Sequence, residues 1–186
     1  MEANIKKILE HIGENPNREG LQDTPKRVVK MWKEMFKGYD KNQFPKITIF
    51  DNGKDGIVYD QMIIDSGDFY SNCEHHMLPF FGKYYFAYIP NPKGKILGLS
   101  KVARVVDYYS ARLQIQERLC SDIVNCLEQS LNCEYPPIAI GIIIKAEHLC
   151  KSMRGVKKKG LMTTAYLKGM FKEDINCKNE LLRHID

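Results

Sequence analysis

Ile138-Ala139-Ile140-Gly141-Ile142-Ile143-Ile144-Lys145-Ala146-Glu147-His148-Leu149-Cys150 is the most strand-like run in the chain, and its reading decides the fold. β-Branched side chains lose rotamer freedom in a helix and pack well on a pleated surface, so the run predicts a strand. Alternate strand residues share a face. Ile140, Ile142, Ile144, Ala146, His148 and Cys150 therefore line one side if the strand stays regular. That face changes from apolar to metal-ligating at its end.

Working outward, Pro136-Pro137 closes the region before this strand. Within that region Ile115, Leu119, Ile123, Leu127 and Leu131 repeat every four residues, and Val102, Val105, Val106 and Tyr109 share a helical face. Residues 101–132 thus hold two helices or one bent helix. Ser100 is the expected N-cap of the first. Lys95 to Leu99 reads as extended, Asn91-Pro92-Lys93-Gly94 turns the chain, and Lys83 to Ile89, rich in Tyr and Phe, is a further strand. Between Ile47 and Ile64 the turn formers Asp51-Asn52-Gly53-Lys54-Asp55-Gly56 separate two strand-like runs. This reads as a hairpin or a loop between neighbouring strands.

At the start of the chain Ile5, Ile8, Leu9 and Ile12 repeat at helical spacing until Gly13-Glu14-Asn15-Pro16 breaks the pattern. Asp23-Thr24-Pro25 signals a second helix, a capping side chain followed by proline in the first turn, with Val28, Trp32, Met35 and Phe36 as its buried stripe. Residues 1–38 form a helical N-terminal lead-in, and residues 39–186 form an α+β body.

At 186 residues and 44% hydrophobic composition the chain can bury a core of its own. Met1-Glu2-Ala3-Asn4 opens without an apolar signal region, and no run approaches the roughly 20 apolar residues of a membrane span. A cytoplasmic protein with no membrane partner is expected. Cys73, Cys120, Cys126, Cys133, Cys150 and Cys177 read as free thiols or metal ligands, because a chain this rich in core residues does not need a disulfide framework. The net charge of +5 is spread out apart from Arg154 to Lys159, which favours a small anionic ligand over nucleic acid.

Cys73-Glu74-His75-His76 offers a thiolate and an imidazole three residues apart, a reach that suits one tetrahedral zinc. Soft sulfur with imidazole favours zinc over magnesium or calcium. Cys73, His75, His76, His148 and Cys150 together exceed the four ligands of a closed structural site, and the adjacent His75 and His76 do not easily bind one ion. If only three bind, the fourth position holds a water whose pKa falls towards about 7. A closed Cys73, His76, His148, Cys150 site that staples two segments accounts for the spacing equally well.

Ser100 opens a helix whose free N–H groups favour an anion, and Lys101 and Arg104, three apart, can point to one side. Arg154, four residues past Cys150, brings a guanidinium near the metal and can hold phosphate bidentately. Gln116-Glu117-Arg118 begins the second helical stripe. A carboxylate there can accept two hydrogen bonds from the N1–H and 2-amino edge of guanine, which adenine does not supply.

Asn72-Cys73-Glu74-His75-His76-Met77-Leu78-Pro79-Phe80 resembles the GTP cyclohydrolase I family. So, in order, do Ala87-Tyr88-Ile89-Pro90, Gly98-Leu99-Ser100-Lys101-Val102-Ala103-Arg104, Arg112-Leu113-Gln114-Ile115-Gln116-Glu117-Arg118-Leu119 and Glu147-His148-Leu149-Cys150-Lys151-Ser152-Met153-Arg154-Gly155. The lead-in is similar too. Two departures are Ser110 and the stretch Lys157 to Tyr166, which keeps only part of the family's serine- and threonine-rich pattern.

The resemblance implies the tunnelling fold, an antiparallel sheet backed by two helices, assembled with copies of itself into a ring, usually a homodecamer, with active sites between subunits. It implies that Cys73, His76 and Cys150 hold Zn2+, which selects the open site. It implies GTP as substrate, hydrolysed at guanine C8 with formate release and recyclisation to 7,8-dihydroneopterin triphosphate, the step that opens pterin and folate synthesis. His148 is the candidate for proton transfer at N7. By the same resemblance His75 and Ser100 assist near the ribose, Glu117 with Gln116 holds the guanine, and Lys101, Arg104 and Arg154 hold the triphosphate. Arg27 reaches a neighbouring subunit's phosphate site. Two rivals remain: a nitrile reductase of the same architecture, against which the paired Cys/His clusters argue, and a zinc-stapled protein that binds a purine nucleotide without turning it over.

Overall fold

A computed structural model describes residues 1–132 and 134–185; Cys133, expected as a thiol or ligand, lies outside them. The lead-in contributes helices α1 (Glu2–His11) and α2 (Thr24–Met35). The body runs β1 (Ile49–Asp51), β2 (Ile63–Cys73), β3 (Pro79–Ile89), β4 (Lys95–Leu97), α3 (Ser100–Ser110), β5 (Leu113–Gln114) and α4 (Gln116–Ser130). It closes with β6 (Ala139–His148), α5 (Leu149–Ser152), β7 (Leu161–Gly169), α6 (Met170–Glu173) and α7 (Ile175–Arg183). Among the described residues no helix is long and apolar enough to cross a membrane.

The main sheet has the order β5-β2-β3-β6-β7. Its four long strands pair antiparallel, and β5 joins β2 in parallel through Asn72↔Leu113 and Cys73↔Gln114. The alternation read in β6 sorts its side chains as expected. Ile140, Ile142, Ile144 and Ala146 join Phe69, Phe80 and Phe86 in a core closed by Val102, Val105 and Val106 of α3 and Leu119, Ile123 and Leu127 of α4. Both helical stripes exist as two separate helices on one face of the sheet, and each fully buried aliphatic side chain contributes about 1.5–3 kcal/mol. On the opposite face Ala139 and Ile143 pack with Phe171, Cys177 and Leu181, so the residues after Phe171 cover one end of the sheet. The fold is therefore α+β, a largely antiparallel sheet backed by two helices and preceded by a helical lead-in.

The hairpin expected around residues 51–56 does not form. β1 pairs with β4 through Ile49↔Leu97, Phe50↔Ile96 and Asp51↔Lys95, in a separate two-stranded sheet, while β2 belongs to the main one. The turn formers lie in a longer loop held by Asn52, whose Oδ1 accepts from the Tyr59 N–H and whose Nδ2 donates to the Asn91 carbonyl. Both expected helix caps also differ. Leu99 already has helical angles, so Ser100 is the first helical residue and makes no side-chain cap. Asp23 is itself helical and turns its carboxylate 3.5 Å from Arg27 instead of back over the N–H groups.

The lead-in stripes are only partly buried. Ile5 and Leu9 are covered, whereas Ile8 is 51% and Ile12 68% exposed. α2 buries Pro25 alone in full. The lead-in meets the body at Gly38, whose N–H donates to the Ala111 carbonyl at 3.0 Å and whose carbonyl accepts from Arg112 Nε at 2.8 Å. A Cβ at this position would lie 2.1 Å from the Tyr108 carbonyl oxygen, so only glycine fits.

Candidate active site

Cys73 is the last residue of β2, and the chain turns back at once to begin β3 at Pro79. The Cys73 N–H donates to the Leu78 carbonyl and the Met77 N–H to the Cys73 carbonyl, both at 2.8 Å, while Met77 takes φ 55°. This left-handed residue lets so short a turn close. β6 ends beside it because Phe80 pairs with His148, and the chain leaves the strand into α5, which carries Cys150. The regular alternation thus stops at His148, and the helical turn redirects Cys150 towards Cys73.

One ligand atom each from Cys73, His76 and Cys150 lie within 4.8 Å of one another. Tetrahedral zinc at ordinary Zn–S and Zn–N lengths separates its ligand atoms by roughly 3.5–3.8 Å, so a small inward movement closes this set on one ion. Burial, followed by the hydrogen bond to Cys73, pushes the Cys150 thiol pKa up, and a bound cation would reverse that preference. Cys73 is buried, Cys150 half-buried and His76 exposed, so the group opens to solvent on the His76 side. Two thiolates and an imidazole are the donor set zinc prefers. His148 is not part of this group.

His75 sits with Nδ1 3.6 Å from Cys73 Sγ, its ring 6.4 Å from that of His76 at 67°. His148 is stacked on Phe80 at 4.6 Å and 5°, and its Nε2 is 2.8 Å from Gln116 Oε1. Burial lowers the His148 pKa, with Lys151 acting in the same direction and Glu117 opposing. The neutral imidazole is favoured, while a carboxylate close by is ready to stabilise its protonated form.

Gln116 is 1% exposed, and its amide nitrogen donates to the Ile144 and Met162 carbonyls and to Thr164 Oγ1. The side-chain amide is thus held inside the protein on both ends. Glu117, one residue on, is exposed.

Among the cations, Arg154 comes to the cluster, with Nη1 3.0 Å from His76 Nε2. Lys101 is half-buried and Arg104 exposed on α3; Arg104 lines a groove with Lys37, Gln43 and Asp107. Ser100 and Arg27 are exposed as well. Among the described residues no hydrogen bond or ion pair joins Ser100, Lys101, Arg104 or Arg27 to the Cys73 cluster within one chain.

Sequence reading missed the side chains that support the metal turn. Arg118 donates through Nη2 to Glu74 and to the Leu113 carbonyl, and through Nε to Gln114 Oε1 at 2.9 Å. Gln114, 1% exposed, in turn donates to the Tyr109 carbonyl and to Asp122. The signal was present: Glu74 lies inside the ligand motif, and an acid there needs a partner. Nothing in the spacing points to Arg118, 44 residues away, as that partner.

A family model described as GTP cyclohydrolase I matches residues 1–186. The GTP cyclohydrolase 1 of Finegoldia magna is 47% identical over 185 residues, covering 98% of this chain and 95% of its own. That of Streptococcus agalactiae serotype V is 45% identical over 184 residues, covering 98% and 94%. The Bacillus subtilis protein of the same name is 44% identical over 189 residues, covering 100% and 94%. Among solved structures, the apo form of the archaeosine synthase QueF-Like aligns with 56% of this chain and 91% of its own, at TM-score 0.40 and 16% identity.

Proposed function

Since the chain belongs to the GTP cyclohydrolase I family, we propose that it opens the guanine ring of GTP by hydrolysis at C8, releases formate and recloses the product to 7,8-dihydroneopterin triphosphate. The observation that carries this reading is the convergence of Cys73, His76 and Cys150 within 4.8 Å, beside two histidines that are not needed to hold the ion. Zinc held by those three residues would supply a water activated for attack at neutral pH.

The rest of the chemistry belongs to the chain's own side chains. His148 gives a proton to guanine N7, which makes C8 electrophilic; that proton stays on N7 in the ring-opened formamide, and His148 recovers one from the water that adds at C8. Its stacking on Phe80 fixes the plane in which that transfer happens. Glu117 accepts from N1–H and the 2-amino group, and selects guanine over adenine. Lys101, Arg104 and Arg154 bind the triphosphate, and His75 and Ser100 act near the ribose.

Copies of the chain assemble into a ring, a homodecamer in this reading, and Arg27 of the exposed lead-in reaches a neighbour's phosphate site. Exposed apolar side chains such as Ile12, Tyr70 and Leu161 support this assembly.

The test is incubation of the purified, metal-quantified protein with GTP, following formate and the fluorescence of the oxidised pterin together. Both signals should vanish on chelation and return with zinc. Folded, zinc-loaded protein that yields neither would refute the assignment.

A further inference from the structure

Four partners surround the Gln116 amide, and together they settle which end is which. Its nitrogen side faces the carbonyls of Ile144 at 3.0 Å and Met162 at 3.1 Å, and both are groups that only accept. The NH2 must therefore point there, with Thr164 Oγ1 as a third neighbour at 3.1 Å. The oxygen is left facing His148 Nε2 at 2.8 Å. A carbonyl oxygen cannot donate, so His148 has to carry its hydrogen on Nε2.

We infer that Gln116 is a positioning residue that locks His148 in the Nε2–H tautomer and leaves Nδ1 as the nitrogen that exchanges a proton with the substrate. Nδ1 has no hydrogen-bond partner among the described residues. Stacking on Phe80 holds the plane of the ring, and the bond to Gln116 holds its rotation within that plane. The two restraints are independent, and both come from residues anchored in the sheet and its backing helix. In the neutral tautomer Nδ1 takes a proton from the water that adds at C8 and hands it to guanine N7, which returns the ring to the same tautomer, so Gln116 accepts from Nε2–H throughout and nothing reorganises around it. The catalytic part of this inference rests on His148 as the proton carrier; the tautomer itself does not.

Magic-angle-spinning NMR of the zinc-loaded, 15N-histidine-labelled full chain tests it, with His148→Ala used to assign the signal. The expected spectrum shows a protonated Nε2 and a bare Nδ1. An Nδ1–H form, or a mixture of the two, would overturn the inference, whether or not the protein turns over GTP. The second measurement is the Gln116→Met variant, which keeps the volume and removes the acceptor. Zinc content should be retained, the tautomers should mix, and kcat should fall by about 10²–10⁴ at little change in KM, the scale set by general acid–base catalysis and by a misassigned tautomer. A rise in KM with kcat and tautomer unchanged would return Gln116 to the guanine. If that variant does not fold, the wild-type spectrum alone decides.

Discussion

In the proposed mechanism His148 and Cys150, two residues apart, do different work, and single substitutions should separate them. Cys150→Ala removes one of the three proposed ligands and should lose both metal and turnover, while His148→Ala should keep the metal and lose ring opening. Metal analysis alongside the formate assay reads both, and release of zinc from His148→Ala would show that the ligand set is wrongly drawn. Glu117→Ala should weaken GTP binding by about 10- to 100-fold, the worth of charge-assisted hydrogen bonds at roughly 1.5–3 kcal/mol, with zinc content unchanged. An unaltered affinity measured by calorimetry would remove Glu117 from the guanine. Cys120 gives a pH prediction. Burial, with the Glu117 charge in second place, pushes its thiol pKa up from 9.0 to about 12. A neutral thiol favoured by the fold contributes stability in full below pH 9 and loses it as pH rises towards about 12. Cys120 should thus resist iodoacetamide at pH 8 in the folded protein and be alkylated only on unfolding, as read by mass spectrometry.

The elements differ in how much of them the sequence carries. β6 is legible because its apolar run is long and its pattern local, and α3 and α4 because four-residue spacing reports a single buried face. The β1–β4 pairing is not legible, since its partners lie more than forty residues apart and the turn formers between Asp51 and Gly56 suggest a nearer one. Helix caps fail for a different reason: Asp23 and Leu99 adopt helical angles, and composition does not encode that shift of one residue. At the site, the ligand motif is readable while its support is tertiary. Gln116 is assigned to the guanine only by resemblance, and its buried hydrogen bonds to Ile144, Met162 and Thr164 form only when α4 packs on β6 and β7. Gly38 is the element-scale test. Gly38→Ala sets a methyl 2.1 Å from the Tyr108 carbonyl oxygen, on backbone that cannot easily yield, and should cost about 1–3 kcal/mol in a denaturant titration. Stability equal to wild type would mean that the lead-in is not docked through this contact.

For the whole molecule, the single chain leaves much apolar surface open. Tyr70 is 73% exposed and stacks on Phe81 at 5.9 Å on the sheet face away from α3 and α4, and Leu161 of β7 is 65% exposed. Such surface on folded chains marks contact with other molecules. Sedimentation should find a closed oligomer, with Tyr70→Lys shifting it towards smaller species and depressing turnover with the metal retained; a fully active monomer would contradict a site shared between subunits. All of this depends on an open metal centre, in which three residues bind and one position is left for chemistry. X-ray absorption at the zinc edge of the loaded protein tests that claim most directly. The account predicts two sulfurs at about 2.3 Å, one imidazole nitrogen at about 2.0–2.1 Å and one light non-imidazole ligand. Two sulfurs with two imidazoles would contradict it, because His75 or His148 would then be a fourth ligand and the site a closed staple.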